Sequence, residues 1–133
     1  MTLSYKERNA IIDYRIEKAK ETFKGAESNA LQLQNWAIAG NRLYYAAYYM
    51  ISALLLKNGH IAHTHTGTRS LFYQHFVKTN IVTKESGRIY SKLFEIRQAS
   101  DYDDFFDLDE NDILPLIEPV KIFICEIERL INE

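Results

Sequence analysis

Cysteine is nearly missing from this chain: Cys125 is the single one among 133 residues. It can form no intrachain disulfide, and a lone thiol points to a reducing compartment, so a cytoplasmic location is expected. An excess of one charge is also missing. A formal net charge of −2 leaves no global basic field, so any nucleic-acid contact must come from a local patch or from a dimer that concentrates one. No apolar run is long enough to cross a bilayer. The opening MTLSYKERNA lacks the apolar core of a signal peptide. There is no Gly-rich phosphate loop, and no Ser-His-Asp or Cys-His arrangement stands at a spacing that argues for a nucleophile. Proline occurs only at Pro115 and Pro119. No strand pattern, internal repeat or low-complexity stretch appears.

What is present is apolar periodicity. The 47% apolar and 26% charged content is ordinary for a soluble globular protein, and the length suits one domain with a core that needs no metal or disulfide staple. The stretch NRLYYAAYYMISALLL, Asn41 to Leu56, holds four of the nine tyrosines within six residues. At helical spacing it has no solvent face. Leu43, Ala46, Ala47, Met50 and Leu54 cluster on one side; Asn41, Tyr44, Tyr45, Tyr48, Ser52 and Leu55 form the other. Such a run predicts a buried central helix, whose tyrosine hydroxyls need partners. Tyr45, one turn from Asn41, is expected to be largely buried.

Around it the pattern predicts an all-α chain in a single domain, residues 1–133. A long helix from about Ser4 to Leu33 carries the apolar stripe Ile12, Ile16, Ala19, Phe23, Ala26, Ala30 and Leu33. Its charged face, including Arg15 and Lys20, reads as solvated. Asn35 caps the central helix, with Trp36 in the first turn; Gly40 allows close helix contact, and Asn58-Gly59 ends the helix. Thr64 or Thr66 caps a third helix to about Thr79, with His75 as a half-buried packing residue. Thr83 caps a fourth toward Ser100, in which Arg97 lies where the core stripe would continue. The last runs from about Ile113 to Ile131; Pro119 implies a kink or a late start.

Two polar stretches invite metal and are read otherwise. His60, His63 and His65 have no cysteine nearby and match no zinc motif, so they read as a loop. Residues 101–112, DYDDFFDLDEND, carry seven acidic side chains. No glycine sits at the turn that a calcium loop requires, and Phe105 and Phe106 occupy ligand positions. An acidic connection pinned by those two phenylalanines is expected. No metal and no cofactor is therefore expected, and Cys125, in an apolar helix, reads as inert.

The remaining constellation is Asn41, Arg42 and Tyr45 on the central helix, with Arg97, Asp101 and Tyr102 at the end of the fourth. With NRLYYAAYYMISALLLKNG, HTHTGTRSLFYQHFVKTN and RQASDYDDF, the sequence resembles the HEPN domains (higher eukaryotes and prokaryotes nucleotide-binding), in the prokaryotic branch with an Asn-Arg-x-Tyr-Tyr-Ala helix and a later Arg-x-x-x-Asp-Tyr. The resemblance implies a five-helix up-and-down bundle that pairs as a homodimer and acts on RNA or nucleotides. Many relatives are metal-independent endoribonucleases, and many are toxins paired with a nucleotidyltransferase-type antitoxin. Their catalytic Arg-x(4–6)-His falls on Arg97 and Tyr102, so tyrosine stands where histidine is expected. Histidine, with a pKa of about 6.5, suits proton transfer; tyrosine, at about 10, is a poor base near neutrality. The pair therefore fits binding better than catalysis: Arg97 can fork onto phosphate and Tyr102 can stack on a base. A cleaving enzyme using Arg97 with Tyr102, or with a histidine such as His65 folded into the cleft, is the second expectation. A purely structural dimerisation protein is the third, and would follow from Arg97 paired with Asp101 and covered.

Overall fold

A computed structural model of the chain describes residues 3–102 and 107–133, with Tyr102 by its backbone alone. The fold is an all-α bundle. Five α-helices occur among the described residues: α1 (Tyr5–Leu31), α2 (Trp36–Lys57), α3 (His65–Phe72), α4 (Lys84–Tyr102) and α5 (Glu110–Asn132).

Each helix starts at a residue whose side chain satisfies an otherwise orphaned backbone N–H. Ser4 and Glu7 form a capping box on α1. Asn35 accepts from the Ile38 N–H at 3.3 Å, Thr64 from Gly67 at 2.8 Å and Thr83 from Ser86 at 3.1 Å. Asp109 and Asp112 form a second capping box on α5. That box places the start of α5 at Glu110, ahead of the expected Ile113, and both prolines lie inside the helix; of the kink or late start expected from Pro119, the late start is corrected. After α3 a π-helical turn, Tyr73–Val77, carries the chain on. It ends before the expected Thr79. Gly59, at φ +81°, closes α2 as expected.

α2 is the hub and packs against α1, α3, α4 and α5. Its aliphatic face is buried throughout. Gly40 lets α5 and the chain before it approach: a Cβ there would lie 2.9 Å from Ile113 Cδ1 and 3.0 Å from Leu108 Cδ1. At its far end, the Lys57 ammonium donates to the Ile131 carbonyl in the last turn of α5, where a cation complements the helix dipole.

Several sequence expectations need correction. Leu33 is 69% exposed, because α1 stops at Leu31 and the stripe no longer faces α2. Two charges assigned to the solvated face of α1 are engaged. Arg15 Nη1 donates to the Ser52 carbonyl at 3.1 Å, and Lys20 pairs with Glu128 at 2.7 Å. Cys125 is exposed on α5, outside the apolar seam. Tyr44, and not Tyr45, is the fully buried tyrosine of α2; Tyr45 is half-buried. Phe105 and Phe106, expected to pin the acidic connection, lie outside the described residues, as does the Tyr102 side chain.

Candidate functional site

Tyrosines at 44, 45, 48 and 49 recur at one- and three-residue steps, so on a 3.6-residue helix they fan across about two-fifths of the circumference. The fan meets two other elements. Thr64 caps α3 and so places His65 in its first turn, against the fan. On α4, Tyr90, Phe94, Arg97 and Asp101 follow one another at three- and four-residue spacing and face the same group. The result is an aromatic cluster with one imidazole and one guanidinium in it. The His65 ring lies 4.6 Å from Tyr48 and 5.7 Å from both Tyr44 and Tyr45, centroid to centroid. Tyr44 stacks on Tyr90 at 5.8 Å, and Arg97 Cζ sits 5.8 Å from the Tyr44 ring centre, a cation–π arrangement.

A hydrogen-bond relay orders the cluster. The Tyr90 hydroxyl donates to the Tyr44 oxygen at 3.4 Å, and Tyr44 Oη lies 2.8 Å from His65 Nδ1. Among the described residues Nδ1 is the one other partner of the buried Tyr44 hydroxyl, so its proton is satisfied when Tyr44 donates to Nδ1 while accepting from Tyr90. This selects the neutral imidazole with its proton on Nε2. Burial pushes the Tyr44 hydroxyl up to about 12 and raises Tyr90 well above the usual range, so both remain protonated donors. Burial, and then the Arg97 charge, lowers the His65 pKa, which also keeps the ring neutral.

Arg97 has only 16% of its side chain accessible. Burial lowers its pKa, but the Tyr45 hydroxyl and then the Asp101 carboxylate outweigh burial, and the net shift is upward. Its Nη2 pairs with Asp101 at 3.1 Å, while Nε is buried and has no acceptor among the described residues. A buried donor without a partner carries a desolvation cost that an incoming oxyanion would relieve.

Of the six residues expected at the site, five separate into two groups. Arg97, Asp101 and Tyr45 come together as one cluster. Asn41 and Arg42 form their own fork: the Asn41 side-chain oxygen accepts from Arg42 Nε at 3.1 Å and Nη2 at 2.8 Å, and Arg42 Cζ lies 5.2 Å from the Tyr45 ring centre. That fork borders the cluster through Tyr45. Tyr102 closes α4 by its backbone, with its side chain outside the described residues. The loop histidines part company. His60 stacks on His75 at 4.0 Å, away from His65. Tyr44 and Tyr90 were missed as site residues. Their signal was present, since a tyrosine at a core position must place its hydroxyl somewhere.

Residues 12–130, which include every member of this cluster, match the model of the HEPN domain. The chain belongs to the HEPN domain family. Among its relatives, a UPF0332 protein of Thermotoga maritima is 36% identical over 129 residues, covering 96% of each chain. A Methanocaldococcus jannaschii protein named as a candidate toxin is 27% identical over 129 residues, covering 97% of this chain and 85% of its own. Membership in the HEPN family agrees with the all-α bundle and with the placement of the cluster inside the matched span. Among the described residues no helix of this HEPN domain is long and apolar enough to cross a membrane.

Proposed function

We propose that this chain is a single-domain HEPN module that binds RNA or nucleotide at the Arg97 cluster. Two copies pair, and the module works with a nucleotidyltransferase-type partner in a toxin–antitoxin arrangement. Arg97 is paired with Asp101 and mostly enclosed, the arrangement expected of a purely structural protein; the observation that favours binding instead is its Nε, which that pair leaves buried and without an acceptor among the described residues. Guanidinium forks suit phosphate oxygens, and the surrounding tyrosines offer faces on which bases stack. His65, with its proton on Nε2, adds a further donor for phosphate. The toxin–antitoxin element takes its support from the name of the archaeal relative. Pairing takes support from apolar surface that the bundle leaves uncovered: Leu31, Leu33 and Ile38 are 60%, 69% and 45% exposed around the α1–α2 turn.

The test is binding of a labelled single-stranded RNA, with chelator present, across a salt series. Arg97→Ala weakens binding and flattens its salt dependence, because one fewer phosphate contact releases fewer counterions. Arg97→Lys restores only part, since a point charge cannot fork onto two oxygens. Equal affinity and equal salt slope for wild type and Arg97→Ala would sink the reading.

A second reading, metal-independent RNA cleavage, is favoured by one observation: His65 lies in the cluster, where Tyr102 cannot serve as a base near neutrality. The relay weighs against it. Nδ1 is occupied by Tyr44, and Nε2 carries a proton, so His65 is a donor and the 2′-hydroxyl has no evident base. Cleavage by wild type is therefore expected to be slow or absent. Efficient metal-free cleavage that His65→Asn abolishes would establish the second reading over the first.

A further inference from the structure

A second concavity lies beside the cluster, between α1 and α2. It is a cleft of about 440 Å³ whose walls include Tyr14 and Arg15 of α1, and Tyr48, Tyr49 and Ser52 of α2. Ile61, in the loop after α2, lies at its rim. That volume falls within the range of pockets that hold nucleotide-sized ligands. Among the described residues no carboxylate lines it, although the chain as a whole is slightly acidic.

Arg15 is the unusual wall residue. It is half-buried, and burial lowers its pKa. Nη1 donates to the Ser52 carbonyl at 3.1 Å. Among the described residues it has no carboxylate partner, and its Nε and Nη2 have no acceptor. One edge of the fork is therefore spent on the protein and the other is free. Tyr14 is 65% exposed and Ile61 is 64% exposed, so two large apolar groups flank a cationic fork. Tyr48 is shared: it lines this cleft, and its ring is 4.6 Å from His65. A nucleotide could thus place its base in the cleft with its phosphate directed toward the Arg97 cluster.

We infer that the α1–α2 cleft is a nucleobase pocket that selects guanine through the free edge of Arg15. The inference rests on the proposed RNA or nucleotide binding for its ligand class, and it assigns the base specificity. An arginine edge offers donors only. Guanine presents two adjacent acceptors, O6 and N7, and satisfies both donors. Adenine presents N7 beside the N6 amino group, so one donor would face another. The tyrosines supply stacking, which tolerates either purine and so does not decide between them.

The test titrates guanosine 5′-monophosphate and adenosine 5′-monophosphate into the intact protein with chelator, by calorimetry. Wild type prefers the guanine nucleotide by about tenfold, the scale of one bidentate base contact. Arg15→Gln loses that preference, because the glutamine amide carries an acceptor as well as a donor. Tyr14→Ala, at an exposed position, weakens both nucleotides severalfold and leaves the melting temperature unchanged. Arg97→Ala weakens both equally and keeps their ratio. Equal binding of the two nucleotides by wild type would overturn the inference, as would a ratio unchanged in Arg15→Gln or full affinity in Tyr14→Ala. If Arg97→Ala abolishes RNA binding while neither nucleotide is preferred, the Arg97 reading stands and the guanine pocket falls. If the guanine preference is lost with Arg15→Gln but RNA affinity ignores Arg97→Ala, the pocket stands and the Arg97 reading falls.

Discussion

On one side of α2, Leu43, Ala46, Ala47, Met50 and Leu54 are at most 1% exposed. On the other, Tyr44 is buried while Tyr45, Tyr48 and Tyr49 remain half-exposed. The first side meets helices that cover it completely. The second meets α3 and α4 at a boundary, and its contacts are hydroxyls, an imidazole and a guanidinium. One helix therefore supplies the core on one side and the candidate site on the other. Tyr44 is the hinge between the two roles: it is as buried as the aliphatic side, yet bonded to His65.

The largest expected effect tests that position. Tyr44→Ala removes a fully buried ring and the relay with it, and should cost roughly 3–5 kcal/mol in a denaturant melt. Tyr45→Ala, half-exposed, should cost about 1–2 kcal/mol. If the two cost the same, the division of α2 into a covered and a boundary tyrosine is wrong.

A smaller effect comes from His65. Its folded pKa lies below the ordinary value of about 6.5, from burial first and the Arg97 charge second. The unfolded chain therefore binds the proton more readily than the fold. The contribution to stability is complete above the unfolded value, and is lost as pH falls through the lowered folded value. Comparing wild type with His65→Asn, the difference in stability should shrink on acidification across that window. A difference that stays constant with pH would place His65 outside the relay.

The smallest effect concerns Asp101. Its carboxylate competes with phosphate for Arg97, but it is 38% accessible and its pairing is an i,i+4 contact near the surface, where ion pairs are weak. Asp101→Asn should tighten RNA binding by about two- to threefold, with little change in stability. Weaker binding in Asp101→Asn would mean that the carboxylate positions Arg97 and does not compete for it.

The helices were legible in the chain because their signals are local. Asn35 and Thr83 cap where their residue type and position suggested, and Thr64 is the one of the two expected threonines that caps, since a cap acts on an N–H within three residues; Ser4, expected only as the rough start of α1, caps it. The end of α2 at Asn58-Gly59 and the close approach at Gly40 were legible for the same reason. The start of α5 was not: a capping box between two aspartates is hard to tell from the surrounding acidic run. Arg97 and Asp101 could be paired from their spacing alone, and the pair is there at 3.1 Å.

The sequence by itself determined that the chain is all helical and where most of the apolar stripes run, and it marked Arg97 and the tyrosine run as exceptional. Only the tertiary structure decided that Tyr44, and not Tyr45, is enclosed, because neighbouring positions on a helix differ by about 100° of rotation and the surrounding helices choose between them. Only the tertiary structure brought His65 to Tyr44, twenty-one residues apart in sequence, and left one edge of Arg15 free beside the tyrosines. A local pattern sets the direction of a side chain relative to its own helix. What that side chain meets depends on where the other helices pack.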